Sequence, residues 1–177
     1  MKANQIFSEM KDETAAGVFQ YLRDEERPVY GAALSTLATN RKLRPVFVQK
    51  KSVPDQIQWL VKNIRMNGAN EVAENVLQIW LLKGKSKLLI SFLDGVGIEH
   101  DGEGAAEDIP DEFDAKKLQS TVDELLKEYD AETVKIYLHM FQMQRRGGWK
   151  EISDVIEGNP DLQFSSTAAQ EPAKAEA

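Results

Sequence analysis

The sequence contains no cysteine and only two histidines among its 177 residues. Without thiols the chain cannot form disulfides, use a cysteine nucleophile or build a thiolate zinc site. Absence of cysteine is compatible with a reducing compartment. A transition metal bound by imidazole would need both histidines, so we expect no metal site and no bound cofactor.

Long hydrophobic runs are also missing. The most apolar window, residues 76–98, carries Lys83, Lys85 and Lys87 near its centre. Each of these ammonium groups would cost about 2.5–3.5 kcal/mol in hydrocarbon. The first residues lack the apolar core of a signal peptide. We therefore expect a cytoplasmic protein with no membrane partner.

The motifs that could support catalysis or ligand binding are incomplete. Residues 84–86 (Gly-Lys-Ser) match the end of a phosphate-binding loop, but Ile79 occupies the position of its first glycine. Residues 99–104 match the first half of a calcium loop. Ala106 and Pro110 then stand where that loop needs a branched apolar residue and a bidentate glutamate. We therefore predict neither a nucleotide site nor a specific calcium site.

His139 shares a helical stripe with Lys135, Gln142 and Arg146, which predicts a solvent-exposed polar face. No neighbouring residue provides a nucleophile or an orienting acid for this imidazole. We predict no catalytic residues and expect a protein that is not an enzyme. An enzyme of unrecognised type stays as an alternative, because catalytic residues need not be neighbours in sequence.

Apolar residues recur at helical spacing along nearly the whole chain, which predicts an all-α fold. A composition of 42% hydrophobic and 29% charged residues is typical of one soluble domain. We predict an irregular bundle of about seven or eight short helices around a central apolar helix at residues 69–82. One short extended segment is expected near Val46, and a long acidic loop at residues 95–112. The helical domain should cover residues 1–164, and residues 165–177, which lack large apolar side chains, should form a disordered tail.

Several helix starts are marked by residues that cap the first turn. Asp24, Ser52, Asp114 and Asp130 each precede an amphipathic segment, and their side-chain oxygens can accept hydrogen bonds from the first free N–H groups. We therefore predict that each is the N-cap of a helix.

Charge is unevenly distributed along the chain. Residues 41–65 hold seven lysines and arginines and one acid, whereas residues 94–132 hold fourteen acids and three lysines. The overall net charge of −7 therefore combines a strongly basic stretch with a strongly acidic one. Such asymmetry indicates electrostatic contacts with a partner rather than a particular fold.

The basic segment, which we define as residues 41–51, carries five cations and one aromatic side chain. We predict that it contacts a partner through Arg41, Lys42, Arg44, Phe47, Lys50 and Lys51. An acidic protein would match its charge. A nucleic acid is the alternative, since cations can contact phosphates while Phe47 stacks on a base. A solvated loop, or pairing with the acidic stretch of the same molecule, is the simplest interpretation.

Trp59 points away from the apolar stripe of its predicted helix, and Met66 lies on the same side two turns later. Either this helix is packed between two layers, or Trp59 and Met66 form a docking surface. We add both residues to the candidate partner-binding set. The sequence thus predicts a non-catalytic interaction or regulatory module whose partner is another macromolecule, most simply a protein. Self-association of oppositely charged surfaces is a further alternative.

Overall fold

The computed structural model describes residues 1–165 of the chain. All regular structure in this range is helical, which confirms the all-α prediction. The range holds ten α-helices rather than seven or eight: α1 Ala3–Glu9, α2 Asp12–Glu25, α3 Arg27–Asn40, α4 Pro45–Gln49, α5 Val53–Ile64, α6 Asn70–Ile79, α7 Ser86–Val96, α8 Ala115–Glu128, α9 Ala131–Gln142 and α10 Lys150–Glu157. A π-helix, Trp80–Gly84, continues α6, and Pro160–Leu162 form a 3-10 turn. Apart from Ser165, the predicted tail lies outside the described residues.

Three of the four predicted N-caps are confirmed. Ser52, Asp114 and Asp130 each accept a hydrogen bond from the backbone N–H three residues later, at 3.3, 2.9 and 3.0 Å. The prediction for Asp24 is wrong, because this residue lies within the last turn of α2. The next helix has Glu26 at its N-cap, without a side-chain hydrogen bond. Side-chain caps therefore mark three of the ten α-helix starts of the described residues, those of α5, α8 and α9.

The extended segment predicted near Val46 is not present, since residues 45–49 form α4. Valines at 46 and 48 favour extended backbone by propensity. However, Pro45 presets a helical φ at the first position of the helix, and Val48 is buried in the core. Burial of one side chain on a short turn thus overrides the local preference.

The helices form two groups that share one hydrophobic core. Helices α1 to α6 pack against one another, and α7 to α10 form the second group. The π-helix contacts α2, α6 and α7 and so joins the groups. Of the predicted central helix at residues 69–82, α6 buries Ala73, Val76 and Leu77, and the π-helix buries Trp80 and Leu81. Helix α9 is the more enclosed element, with nine of its twelve residues buried.

Gly95 lies inside α7, although the sequence predicted that the acidic loop begins there. A Cβ atom at this position would lie 2.4 Å from Cγ2 of Thr121 on α8, so the two helices cross too closely for a side chain. The loop between these helices therefore covers residues 97–114. No helix in the described part of the chain is both long enough and apolar enough to cross a bilayer.

The prediction that His139 is solvated is wrong. Its side chain is 6% exposed, and its Nε2 lies 3.0 Å from the backbone carbonyl oxygen of Leu162. The imidazole centroid lies 4.8 Å from the ring of Phe164. The face of α9 that periodicity assigned to water is covered by the 3-10 turn and the residues after it.

Burial of His139 has a consequence for stability against pH. Burial lowers the pKa of His139, while the hydrogen bond to the Leu162 carbonyl raises it. Of the charges around it, the N-terminal ammonium and Lys135 lower the pKa, and Glu9 raises it. The unfolded chain binds the proton near pH 6.5, so it takes up more protons than the folded chain below that pH. The free energy of unfolding should therefore fall as the pH decreases from about 7 to about 5.

Urea unfolding at several pH values checks this expectation. The matched variant His139→Gln can still donate to the Leu162 carbonyl but does not titrate. Its stability should fall less than that of the wild type over the same pH interval. Two curves that run parallel would show that His139 does not contribute to the pH dependence.

Candidate macromolecule-binding surface

The basic segment begins at the C-terminal end of α3. The N–H of Leu43 donates to the carbonyl of Ala38 at 2.9 Å, and the N–H of Lys42 donates to that of Thr39 at 2.9 Å. This pair of bonds is a Schellman motif, which requires a left-handed residue after the helix. Lys42 occupies that position with φ +56°, and it is the one non-glycine residue of the described chain with a positive φ. The conformation costs roughly 1–2 kcal/mol for an L-residue, so a cation stands where glycine would fit better.

Helix α4 presents apolar side chains between the cations. Arg44 has extended backbone (φ −73°, ψ 130°), as expected for a residue before proline. Val48 points inward and is buried, with 1% of its side chain exposed. Val46 and Phe47 point outward and are 42% and 60% exposed. One buried valine thus positions two apolar side chains at the surface.

The side chain of Gln56 on α5 fixes the end of this turn. Its amide nitrogen donates to the carbonyls of Gln49 (2.9 Å) and Lys51 (3.0 Å). Its amide oxygen accepts a hydrogen bond from the Tyr30 hydroxyl on α3, at 3.0 Å. Burial raises the pKa of Tyr30, so this hydroxyl remains a donor at neutral pH. The basic segment is therefore tied at its end to two longer helices.

All five cations of the basic segment are exposed. Within residues 1–165, none of them forms an ion pair, either with the acids of the loop at 97–114 or with any other acid. Arg65, which belongs to the same basic stretch of sequence, behaves differently. Its guanidinium lies 2.7 Å from Asp12 and donates to the carbonyl of Phe7 at 2.8 Å. Arg65 thus joins helices, whereas the five cations remain available to a partner.

Exposed apolar side chains concentrate at the same place. Five large hydrophobic residues of the described chain are exposed, and four of them are Leu43, Val46, Phe47 and Met66. Met66 lines a depression of about 80 Å³ together with Arg41, so it adjoins the basic segment. Trp59 is half-buried and packs against the core, so it adds less to this surface. We call the five cations with Leu43, Val46, Phe47 and Met66 the basic–apolar surface.

The acidic loop is organised by its own hydrogen bonds. Asp101 accepts from the backbone N–H groups of Glu103 (2.7 Å) and Ala105 (3.1 Å), and these bonds lower the pKa of Asp101. Most of the loop's carboxylates are exposed. No group of three or more metal-ligating side chains converges in the described residues.

His100 in this loop contacts an acid but lacks the arrangement of a catalytic base. Its Nδ1 accepts from the backbone N–H of Gly102 at 3.0 Å, so its Nε2 carries the hydrogen that is donated to Asp94, 2.9 Å away. Both ring nitrogens are therefore occupied, one by the loop itself and one by Asp94 on α7. A general base needs a free nitrogen next to a nucleophile. The imidazole therefore fastens the loop to the end of α7 through these two hydrogen bonds.

Sequence reasoning placed the cations on this surface but missed Leu43 and Val46 as exposed residues. The one sequence feature that indicates their exposure is their position between charged residues. The contribution of Gln56 had no such signal, because Tyr30 lies 26 residues away and meets it only in the fold. Comparison with protein-family models, with curated proteins and with solved structures finds no match to this chain.

Proposed function

We propose that this chain is a non-catalytic binding module that docks an acidic, partly apolar segment of another protein on its basic–apolar surface. The observation that carries the proposal is the coincidence of two features. The five cations have no ionic partner within residues 1–165, and four of the five exposed large hydrophobic side chains lie among or beside them.

Charge and apolar contact would contribute different parts of the binding energy. Unpaired cations attract an acidic partner over several ångströms and accelerate its association. Each exposed ion pair adds only about 0.2–1 kcal/mol, however, so charge alone gives weak binding. Phe47 and its apolar neighbours supply surface that is removed from water in the complex. A partner with both carboxylates and apolar side chains satisfies both parts.

A nucleic acid is the second candidate, favoured by one observation. Phe47 is 60% exposed and is surrounded by cations, which is an arrangement suited to stacking on a base. Against it, the chain has a net charge of −7 and a pI of about 5.0, so a long polyanion would be repelled outside the basic segment. A compact acidic protein segment avoids that repulsion.

Phe47→Ala separates the two contributions. As test ligands we choose polyglutamate and an amphipathic peptide with leucines on one helical face and glutamates on the other. The variant should bind the amphipathic peptide about tenfold more weakly, because an apolar contact is lost. Binding of polyglutamate should be unchanged. Phe47→Leu, the matched control, should retain most of the affinity in a fluorescence anisotropy titration.

Other results would replace the proposal. If single-stranded DNA binds more tightly than either peptide and loses affinity in Phe47→Ala, the surface recognises nucleic acid. If neither peptide binds at low ionic strength and sedimentation shows oligomers that dissociate with salt, the basic–apolar surface binds a second copy of the chain. If the chain binds neither peptide nor DNA and does not self-associate, the proposal of a binding module is wrong.

A further inference from the structure

A cavity of about 290 Å³ lies apart from the basic–apolar surface and shares no residue with it. It is bounded by α6, the π-helix, α7, α9 and the part of the loop around residues 104–109. Gly104 closes tightly on α7, where an added Cβ would lie 2.8 Å from Cβ of Leu89. The loop therefore forms a wall of the cavity.

Most of the residues that line this cavity are apolar, while Glu74, Gln78 and Gln144 add polar groups. The lining includes leucines from the π-helix and α7, together with Met140 and Met143, whose flexible thioethers adapt to ligands of different shape. Among the described residues that line it, Glu74 is the one charged side chain, and there is no lysine or arginine. A cavity without a cation offers nothing to neutralise an anionic ligand, and Glu74 is an exposed residue whose carboxylate water can solvate, so a neutral ligand fits best.

Tyr137 adds a polar group to this apolar lining. Its side chain is 4% exposed, and its ring packs edge-on against Phe92, with centroids 5.2 Å apart. No hydrogen bond joins its hydroxyl to another residue within 1–165, and Tyr137 lines the cavity. Burial raises the pKa of Tyr137, which keeps the hydroxyl protonated. The hydroxyl does not belong to the buried polar atoms that lack a partner, so it is accessible to water or to a ligand that carries an acceptor.

Size and local geometry agree with a small ligand. A cavity of about 150 Å³ lined by leucine, isoleucine and phenylalanine is sufficient for benzene. The present cavity is nearly twice as large, so it has room for a bicyclic molecule of about ten carbon atoms. Leu81 and Leu82 of its lining belong to the π-helix, a distortion often found at functional sites. The sequence after residue 165 holds alanine and proline but no larger apolar residue.

We infer that this cavity binds a neutral, largely apolar small molecule whose carbonyl or ether oxygen accepts a hydrogen bond from the hydroxyl of Tyr137. The apolar body of the ligand fills the space between α7 and α9. The methionines adjust to its outline.

The matched pair 1-tetralone and tetralin tests the inference, because they share a bicyclic skeleton and only the former has a carbonyl. Both should bind the full chain and shift the NMR signals of cavity residues. Tyr137→Phe should weaken binding of 1-tetralone about three- to tenfold, the value of one hydrogen bond, and leave tetralin within twofold. Ala106→Phe should fill the half-buried cavity edge and abolish binding of both.

Thermal unfolding provides an independent readout. Since the hydroxyl makes no hydrogen bond to another residue within 1–165, Tyr137→Phe should unfold at the same temperature as the wild type or higher. The inference is overturned if neither compound binds up to its solubility limit. It is equally overturned if Tyr137→Phe weakens both compounds alike or neither, or if signals elsewhere shift while the cavity's do not.

Discussion

Replacing the five cations of the basic segment with glutamine is expected to weaken binding of the acidic amphipathic peptide about thirty- to hundred-fold at low ionic strength. Each exposed ion pair contributes about 0.2–1 kcal/mol, so five pairs give roughly 1–5 kcal/mol; the expected loss corresponds to about 2–2.7 kcal/mol within that range. All five side chains are exposed and make no ion pair within residues 1–165. The substitutions therefore remove no intramolecular salt bridge of that range, and folding should be retained.

A second variant isolates the position of the charges from their number. Five exposed cations outside the segment can be changed to glutamine instead: Lys11, Lys87, Lys116, Lys127 and Arg146. Both variants alter the net charge of −7 by the same amount. At about 0.1 M salt the control should lose less than threefold in affinity, because its cations lie outside the basic segment and exposed charges are screened beyond about 10 Å. Added salt should weaken the wild type and the control but hardly affect the basic-segment variant.

Equal losses in the two variants would contradict the proposal. Such a result would mean that the overall field of the protein, and not a defined surface, attracts the acidic peptide. Calorimetric titration at two salt concentrations distinguishes the outcomes.

Glu132→Ala is expected to lower the free energy of unfolding by about 3 kcal/mol. Glu132 lies in the first turn of α9 with 6% of its side chain exposed. One carboxylate oxygen accepts from the backbone N–H of Lys11 at 2.7 Å, and the other accepts from the hydroxyl of Thr14. Hydrogen bonds to a charged group contribute about 1.5–3 kcal/mol each, and their loss leaves two donors at the start of α2 without an acceptor.

Two further variants define the origin of that loss. Glu132→Gln keeps one acceptor oxygen but no charge, so it should lose about half as much stability. Glu124→Ala, on the exposed face of α8, should change the free energy of unfolding by less than about 0.5 kcal/mol. If Glu132→Ala were as mild as Glu124→Ala in urea unfolding, the contact between α9 and α2 would not stabilise the fold.

The parts of the fold that depend on neighbouring residues could be predicted from the sequence. Helical periodicity gave the all-α class, and the caps at Ser52, Asp114 and Asp130 follow from side chains within three residues of their partners. Burial of His139 was missed because the residues that cover it begin at position 160, on a separate turn. Gly95 was taken for a loop residue because its helical role depends on Thr121, which is distant in sequence.

At the candidate surface, too, features set by nearby residues could be predicted and features set by distant residues could not. Lysines and arginines are mostly exposed in folded proteins, so their exposure in the basic segment could be predicted. That Met66 adjoins Arg41 could not, because the two residues lie on separate elements. Tyr137 shares a helical face with the apolar residues Val134, Leu138 and Phe141, but periodicity cannot show whether neighbouring side chains fill the space beside its ring. Cavities depend on how side-chain volumes add up in three dimensions.

The contacts of Gln56 affect the thermodynamics of any complex formed at the neighbouring turn. Binding usually loses free energy when a flexible backbone must be immobilised. Here one amide already holds the carbonyls of Gln49 and Lys51, so that ordering is complete before a ligand arrives. On association, it is then mainly the long cationic side chains that lose conformational freedom. A glutamine that need touch no ligand thereby reduces the entropic penalty of recognition.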